Sequence, residues 1–165
     1  MIRKSLLTAG ASLALLGALS GAAMAANSDR NFLRTAIKGD NSEMRLGKLA
    51  AEKGVSQAVR DFGQMLVTDH GKAKNNAVAV AQPMGVKPPT IMMPVAKAEL
   101  AKLKGLSGAA FDKEFASYMV DDHKKDIADF EKEAAKGSGK VPELARMTLP
   151  DLRKHLETAS KIVTM

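Results

Sequence analysis

The sequence predicts an all-α protein, a four-helix bundle with a long crossover that carries a short extra helix. Two observations lead to this prediction. Apolar residues recur every three or four positions in four separate segments, which is the spacing of one face of an α-helix. Glycine and proline residues mark the ends of these segments, where they terminate helices.

The N-terminal segment has the features of a secretory signal peptide. A basic start, Met1 to Lys4, precedes an apolar run from Leu6 to Leu19, and Ala23-Met24-Ala25 offers the small-x-small pattern that signal peptidase reads. The apolar run is too short for a membrane-spanning helix. We therefore expect residues 1–25 to be removed and residues 26–165 to form one domain, exported to the periplasm or cell envelope. An uncleaved N-terminal anchor is the alternative.

The composition excludes some partners. Loss of Arg3 and Lys4 with the signal peptide lowers the formal charge from +7 to +5. Because the chain has no Trp, one Tyr and no Arg-rich run, it lacks the stacking platforms of nucleic-acid-binding proteins, and we expect no nucleic-acid partner. The basic surface permits a weak association with anionic envelope surfaces. With no Cys, the domain depends on packing or on a metal for its stability.

Caps and breaks define the helices of the first half. Ser28 suits the N-cap of a first helix that ends near Lys53, and Ser56 suits the N-cap of a second helix. Prolines then break the chain into an irregular crossover over residues 83–94. A short helix over residues 95–104 is expected on that crossover.

The second half contains two more long helices. The third spans residues 111–136 and ends at Gly137, and Pro142 suits the first turn of the fourth. Pro150 is expected to kink this last helix one turn before His155. Two tight helical hairpins joined by a crossover of about 25 residues have the connectivity of ferritin-like bundles.

Each of the four apolar stripes contains one conspicuous polar residue: Glu43, His70, His123 and His155. Each histidine lies about 14 residues, or roughly 21 Å of helix, from the nearest turn, and Glu43 lies a few ångströms closer to its turn. Helical bundles build metal sites from ligand side chains that point inward at the same height along the bundle axis. Three imidazoles and a carboxylate suit Zn, Fe, Mn, Ni or Cu.

A buried Glu–His hydrogen-bond network is the alternative interpretation of these four residues. Three aspartates support the metal hypothesis as acceptors that would orient the ligands. Asp69 and Asp122 each precede a histidine, and Asp151 lies one turn before His155. Each of them is otherwise explained as a solvated acid on a helix surface.

Methionine offers a second metal hypothesis. Met65, Met92, Met93 and Met119 are soft donors that suit copper in an oxidising compartment. Methionine at helical spacing more often fills gaps in a core, which favours the histidine site.

Several short motifs resemble those of a bacterial exported family, domain-of-unknown-function family 4142, whose ferritin-like members are sometimes labelled outer membrane proteins. They are Phe32-Leu-x-x-Ala36, Glu43 with Leu46-Gly-Lys-Leu-Ala50, Met65-Leu-Val-x-Asp69-His70, Ser107-Gly-Ala-Ala-Phe-Asp112, Tyr118 with His123, and Thr148-Leu-Pro-Asp-Leu-x-x-His155-Leu. The resemblance implies a ferritin-like fold and an envelope location. It implies no function, since the family is defined without one.

The ligand pattern argues against a di-iron oxidase. Such enzymes use a Glu-x-x-His element on two helices, whereas Val67, Val120 and Leu152 stand three residues before the histidines here. We therefore do not expect the usual dinuclear chemistry, and no nucleophile–base pair indicates hydrolysis. Two function classes follow: a metal-binding bundle for metal handling or envelope stress tolerance, or a non-enzymatic interaction or structural module.

Overall fold

Helices account for all regular structure in the described part of the chain. The computed structural model describes the backbone of residues 12–164 and the side-chain environments of residues 23–164. Its α-helices are α1 (Ser12–Lys53), α2 (Gln57–Ala81), α3 (Pro94–Gly105), α4 (Gly108–Ala134) and α5 (Lys140–Val163), with a 3₁₀ turn at Gln82–Met84. The predicted all-α bundle is confirmed, with α3 on the crossover between α2 and α4.

The helices pair as two hairpins. α1 packs mainly on α2, α4 packs mainly on α5, and α2 contacts α5 to join the pairs. α3 lies against α1 and α4. Of the helices within residues 12–164, none combines the length and the apolar character that crossing a membrane requires.

The first helix does not begin where the sequence predicted. Ser28 is not an N-cap, because α1 is already helical from Ser12 and runs through this position. The Leu- and Ala-rich residues before Ser28 favour helix, so nothing ends the helix there. Residues 1–11 of the predicted signal peptide lie outside the described residues.

The other boundaries follow the predicted caps closely. Ser56 caps α2, with its Oγ accepting a hydrogen bond from the Val59 amide at 3.3 Å. Gly85 ends the 3₁₀ turn with a φ of +70°, a left-handed conformation that glycine adopts without strain. Pro142 lies in the first turn of α5, and α5 continues as a helix through Pro150.

α1 and α2 approach each other closely at two glycines. A Cβ atom added to Gly63 would lie 2.5 Å from the carbonyl oxygen of Gly47, and one added to Gly47 would lie 2.7 Å from the carbonyl oxygen of Gly63. Neither position has room for a side chain unless the helices move apart. The first hairpin is therefore held together by backbone contact.

The crossover is fastened to α1 by two buried polar side chains. Nδ2 of Asn41 donates to the carbonyl oxygens of Pro89 at 2.9 Å and Ile91 at 3.3 Å. Oγ of Ser42 accepts from the Met93 amide at 2.9 Å. An irregular segment cannot satisfy its own backbone groups, so these bonds hold it against the bundle.

The core has two apolar clusters with a polar layer between them. Along α2, Leu66 belongs to one cluster, Ala77 belongs to the other, and His70 lies between them. Along α1, Leu46 and Ile37 are the corresponding pair. The polar layer consists of the buried residues Asp40, Glu43, His70, His123 and His155.

Candidate metal centre

The three histidines of the chain meet inside the bundle. One ring nitrogen of each of His70, His123 and His155 lies within 4.8 Å of those of the other two. The ring centroids are 5.2–5.8 Å apart. All three residues are buried, with at most 4% of their surface exposed.

Each histidine has one ring nitrogen at hydrogen-bond distance from an oxygen acceptor outside the histidine group. Nδ1 of His70 lies 3.0 Å from Oδ1 of Asp40, and Nε2 of His155 lies 3.0 Å from Oδ2 of Asp69. Nδ1 of His123 lies 3.0 Å from the carbonyl oxygen of Met119, one turn earlier on α4. Because carboxylates and carbonyls only accept hydrogen bonds, these ring nitrogens carry protons.

In the neutral form of each ring, the remaining nitrogen carries a lone pair. Nε2 of His70 is buried and has no hydrogen-bond partner. Nε2 of His123 and Nδ1 of His155 lie 3.3 Å apart. Two ligands of a tetrahedral zinc ion with Zn–N bonds of about 2.0–2.1 Å are about 3.3–3.4 Å apart, so this pair already has the spacing of two metal ligands.

The environment keeps two of the rings neutral. Burial lowers the pKa of His123 from its ordinary value of 6.5 to about 3, with a further contribution from the neighbouring histidines. Burial also lowers the pKa of His155, and the hydrogen bond to Asp69 opposes this effect. Neutral imidazole is the form that binds metals.

Glu43, the fourth predicted ligand, is completely buried beside the histidine group. Burial raises the pKa of its carboxyl group well above the ordinary value, and the acids Asp122, Asp126 and Asp40 raise it further. Neither carboxyl oxygen of Glu43 has a hydrogen-bond donor as a partner. Because Asp122 is a neighbouring acid, the protonated form of Glu43 is the one suited to lie beside it. The group whose ligand atoms lie within 4.8 Å of one another contains the three histidines and not Glu43. Coordination of a metal by Glu43 stays a prediction.

The predicted supporting aspartates have different partners from those that their positions suggested. Asp69 binds His155 on another helix and not the adjacent His70. Asp122 accepts a long hydrogen bond, 3.4 Å, from the Tyr118 hydroxyl. Nε2 of His155 is at hydrogen-bond distance from Asp69, and the predicted role of Asp151 stays a prediction.

Asp40 is the functional residue that sequence reasoning missed. It is 7% exposed and accepts the hydrogen bond that orients His70. Burial raises the pKa of its carboxyl group, and the hydrogen bond to His70 opposes this effect. Its position three residues before Glu43 placed it on the inward face of α1, which was the available indication.

The comparisons with known proteins agree with this fold. The sequence profile of a family described as a domain of unknown function (DUF4142) matches residues 15–162. The chain belongs to this family. A DUF305 fragment from Deinococcus radiodurans has a similar crystal structure, with a TM-score of 0.73 and 17% sequence identity over 82% of this chain and 95% of that chain. At this identity the similarity concerns the fold alone, and no protein of curated function matches the chain.

Proposed function

We propose that this DUF4142 protein is an exported helical bundle that binds one transition-metal ion through His70, His123 and His155. Its role would be metal handling or tolerance of metal or oxidative stress in the cell envelope. One observation carries the metal proposal: three buried histidines, each with an oxygen acceptor on one ring nitrogen, offer ligand atoms that lie within 4.8 Å of one another. Outer acceptors of this kind orient metal-bound histidines.

The donor set indicates the class of metal. Three imidazoles suit Zn, Fe, Mn, Ni or Cu, and fit poorly with Mg or Ca. Glu43 would add a carboxylate after losing its proton, which would also compensate part of the charge of the ion. Three protein ligands with a further position filled by Glu43 or a small molecule fit the zinc sites of proteins.

The methionine alternative has less support. Met92 and Met119 are buried in the apolar cluster that contains Phe62 and Phe115, and Met65 and Met93 pack against it. Met119 contributes its carbonyl oxygen, not its sulfur, to His123. These contacts are typical of methionine as a gap-filling core residue.

A buried hydrogen-bond network is the competing function, and the 3.3 Å contact between His123 and His155 favours it. A hydrogen bond there needs a proton on one of the two nitrogens. Because burial lowers the pKa of His123 to about 3, His155 is the ring that would take this proton, as an imidazolium paired with Asp69. The protein would then be an interaction or structural module. The lowered pKa of His155 opposes this charged form.

Metal-dependent thermal stability separates the two functions. Protein without a His-tag is unfolded thermally after EDTA treatment and again with one equivalent of Zn²⁺. We expect zinc to raise Tm, because it binds the folded arrangement and not the open chain, and EDTA to reverse the rise. His123→Ala should abolish most of the zinc effect, and a wild-type Tm indifferent to zinc and EDTA would contradict the metal proposal.

The proposal of export rests on the basic start, the apolar run and the Ala23-Met24-Ala25 pattern. Cleavage after Ala25 would leave α1 from Ala26 onward within the bundle. Mass spectrometry of the protein from its native cell tests this directly. A mature chain that begins near Ala26 is expected, and an intact Met1 would contradict export by a cleaved signal peptide.

A further inference from the structure

A cleft leads from the protein surface to the histidine group. Its volume is about 380 Å³. Residues of α1, α4 and α5 form most of its walls, and His70 of α2 also lines it. The lining includes Ser28, Thr35, Asp40, His70, Asp126, Glu133 and Lys136.

The cleft runs along the bundle and joins solvent to one of the proposed ligands. Its α1 wall extends from Ser28 to Asp40, which is about 18 Å of helix. Ser28 is exposed, whereas Asp40 and His70 are buried. A small ion that enters at the Ser28 end therefore meets His70 at the other end.

Carboxylates accompany this path. Asp126 lines the wall opposite Gly39, where an added Cβ would lie 3.9 Å from Oδ2 of Asp126. Glu133, also in the wall, is 3% exposed, and its Oε1 has no hydrogen-bond partner. Two buried atoms without partners, this oxygen and Nε2 of His70, thus belong to the lining.

A lysine closes the outer end. Nζ of Lys136 donates to Oγ of Ser28 at 2.9 Å and to Oε2 of Glu133 at 2.6 Å, and lies 3.8 Å from Oδ1 of Asp29. It therefore links the end of α4 to α1 across the mouth of the cleft. Its positive charge lies at one of the solvent-exposed parts of the cleft.

We propose that this cleft is the route by which a metal cation reaches the histidines, with Asp126 assisting its passage and Lys136 restricting it. The inference rests on the proposed metal site and adds how that site is filled. A buried metal site needs a path for the ion. Fixed negative charges along a low-dielectric path raise the local cation concentration and the rate of association, and a fixed positive charge lowers them.

Stopped-flow uptake of Co²⁺ by the EDTA-treated full chain tests the route, with the visible absorption of cobalt as the readout. Thr35→Trp, at an exposed lining position, should obstruct the cleft without changing its charge. We expect it to slow binding and release together by about tenfold while Kd stays unchanged, because a route affects both directions equally. Ala79→Trp, on an exposed surface of α2 away from the cleft, is the matched control and should behave as wild type.

Two variants that remove a charge are expected to change the rate of Co²⁺ uptake in opposite directions. At a pH above the pKa of Asp126, which burial raises to about 7, Asp126→Asn should slow uptake by about tenfold, and Lys136→Met should accelerate it by a similar factor. The controls Asp61→Asn and Lys161→Met make the same changes in net charge at exposed positions, and should leave the rate near that of wild type. Opposite effects from two variants are not expected from a general loss of stability.

Two results would overturn the route. Thr35→Trp and Lys136→Met could both take up Co²⁺ at the wild-type rate, or each control could change the rate as much as its cleft variant. In either case Co²⁺ still binds and the metal site itself stands. If wild-type protein binds no Co²⁺ at all, the proposed function and the route both fail.

Discussion

The hydrogen bond from His155 to Asp69 gives the sharpest way to perturb the proposed site without removing a ligand. Oδ2 of Asp69 lies 3.0 Å from Nε2 of His155, and 24% of the Asp69 side chain is exposed. Asp69→Asn keeps the size and an accepting oxygen but removes the negative charge. The ring then loses the negatively charged acceptor that makes it a better metal ligand.

The expected magnitude follows from measured effects of such outer acceptors. Their loss costs about 10- to 100-fold in metal affinity, or about 1.4–2.7 kcal/mol. With zinc in excess, the stabilisation by the metal should fall by the same amount. Without metal the unfolding free energy should change by less than about 1 kcal/mol, because a neutral His155 forms only an ordinary hydrogen bond with the partly exposed Asp69.

If the histidines form a hydrogen-bond network and not a metal site, the substitution should instead destabilise the metal-free protein strongly. Asp69 would then neutralise a buried imidazolium, and its loss would cost about 3–5 kcal/mol in the metal-free protein. The assay is urea unfolding with EDTA or with excess zinc, together with a competition titration for zinc affinity. Asp151→Asn, one turn before His155, is the control and should change either quantity by less than about 0.5 kcal/mol. Unchanged zinc affinity in Asp69→Asn would refute the reasoning.

Three further predictions concern the fold and its pH dependence. Gly63→Ala should lower the unfolding free energy by about 1–3 kcal/mol, because its Cβ meets the Gly47 backbone. Gly71→Ala, whose Cβ would have only Met44 Cε at 3.9 Å, should be neutral or stabilising in the same urea assay, and equal losses would contradict the close packing. Asn41→Ala should lower the unfolding free energy by about 1–3 kcal/mol and speed proteolysis within residues 83–94, because the crossover loses two hydrogen bonds to α1. An unchanged cleavage pattern would contradict the role of Asn41 in holding the crossover. In EDTA, the unfolded wild-type chain binds a proton at His123 near pH 6.5, whereas the folded protein binds this proton only near pH 3. The free energy of unfolding therefore falls as the pH falls through this range. Relative to wild type, His123→Phe should therefore gain about 1.4 kcal/mol per pH unit below 6.5, and a difference independent of pH would show that the ring is not kept neutral by burial.

Much of the fold could be predicted because helical periodicity is a local property. The stripe of α4 that contains Phe111, Phe115, Met119 and His123 is buried as its spacing predicted. The equal distances of the histidines from their turns correctly predicted that they share one layer. Both inferences need only the rise of a helix and the positions of its ends.

The partners across the bundle could not be predicted, because they depend on which helix faces which. Asp69 and His70 are adjacent in sequence, but successive residues of a helix point about 100° apart, so they face different neighbours. Asp69 consequently meets His155 of α5, while His70 meets Asp40 of α1. The start of α1 was misplaced because an N-cap residue such as Ser28 also occurs inside helices, where no local rule distinguishes it.

Crystals grown with zinc and measured at the zinc absorption edge test the central claim most directly. The account predicts an anomalous peak in the polar layer, about 2.0–2.1 Å from Nε2 of His70, Nε2 of His123 and Nδ1 of His155. Zinc found only at surface carboxylates, with His123 and His155 still in direct contact, would contradict it.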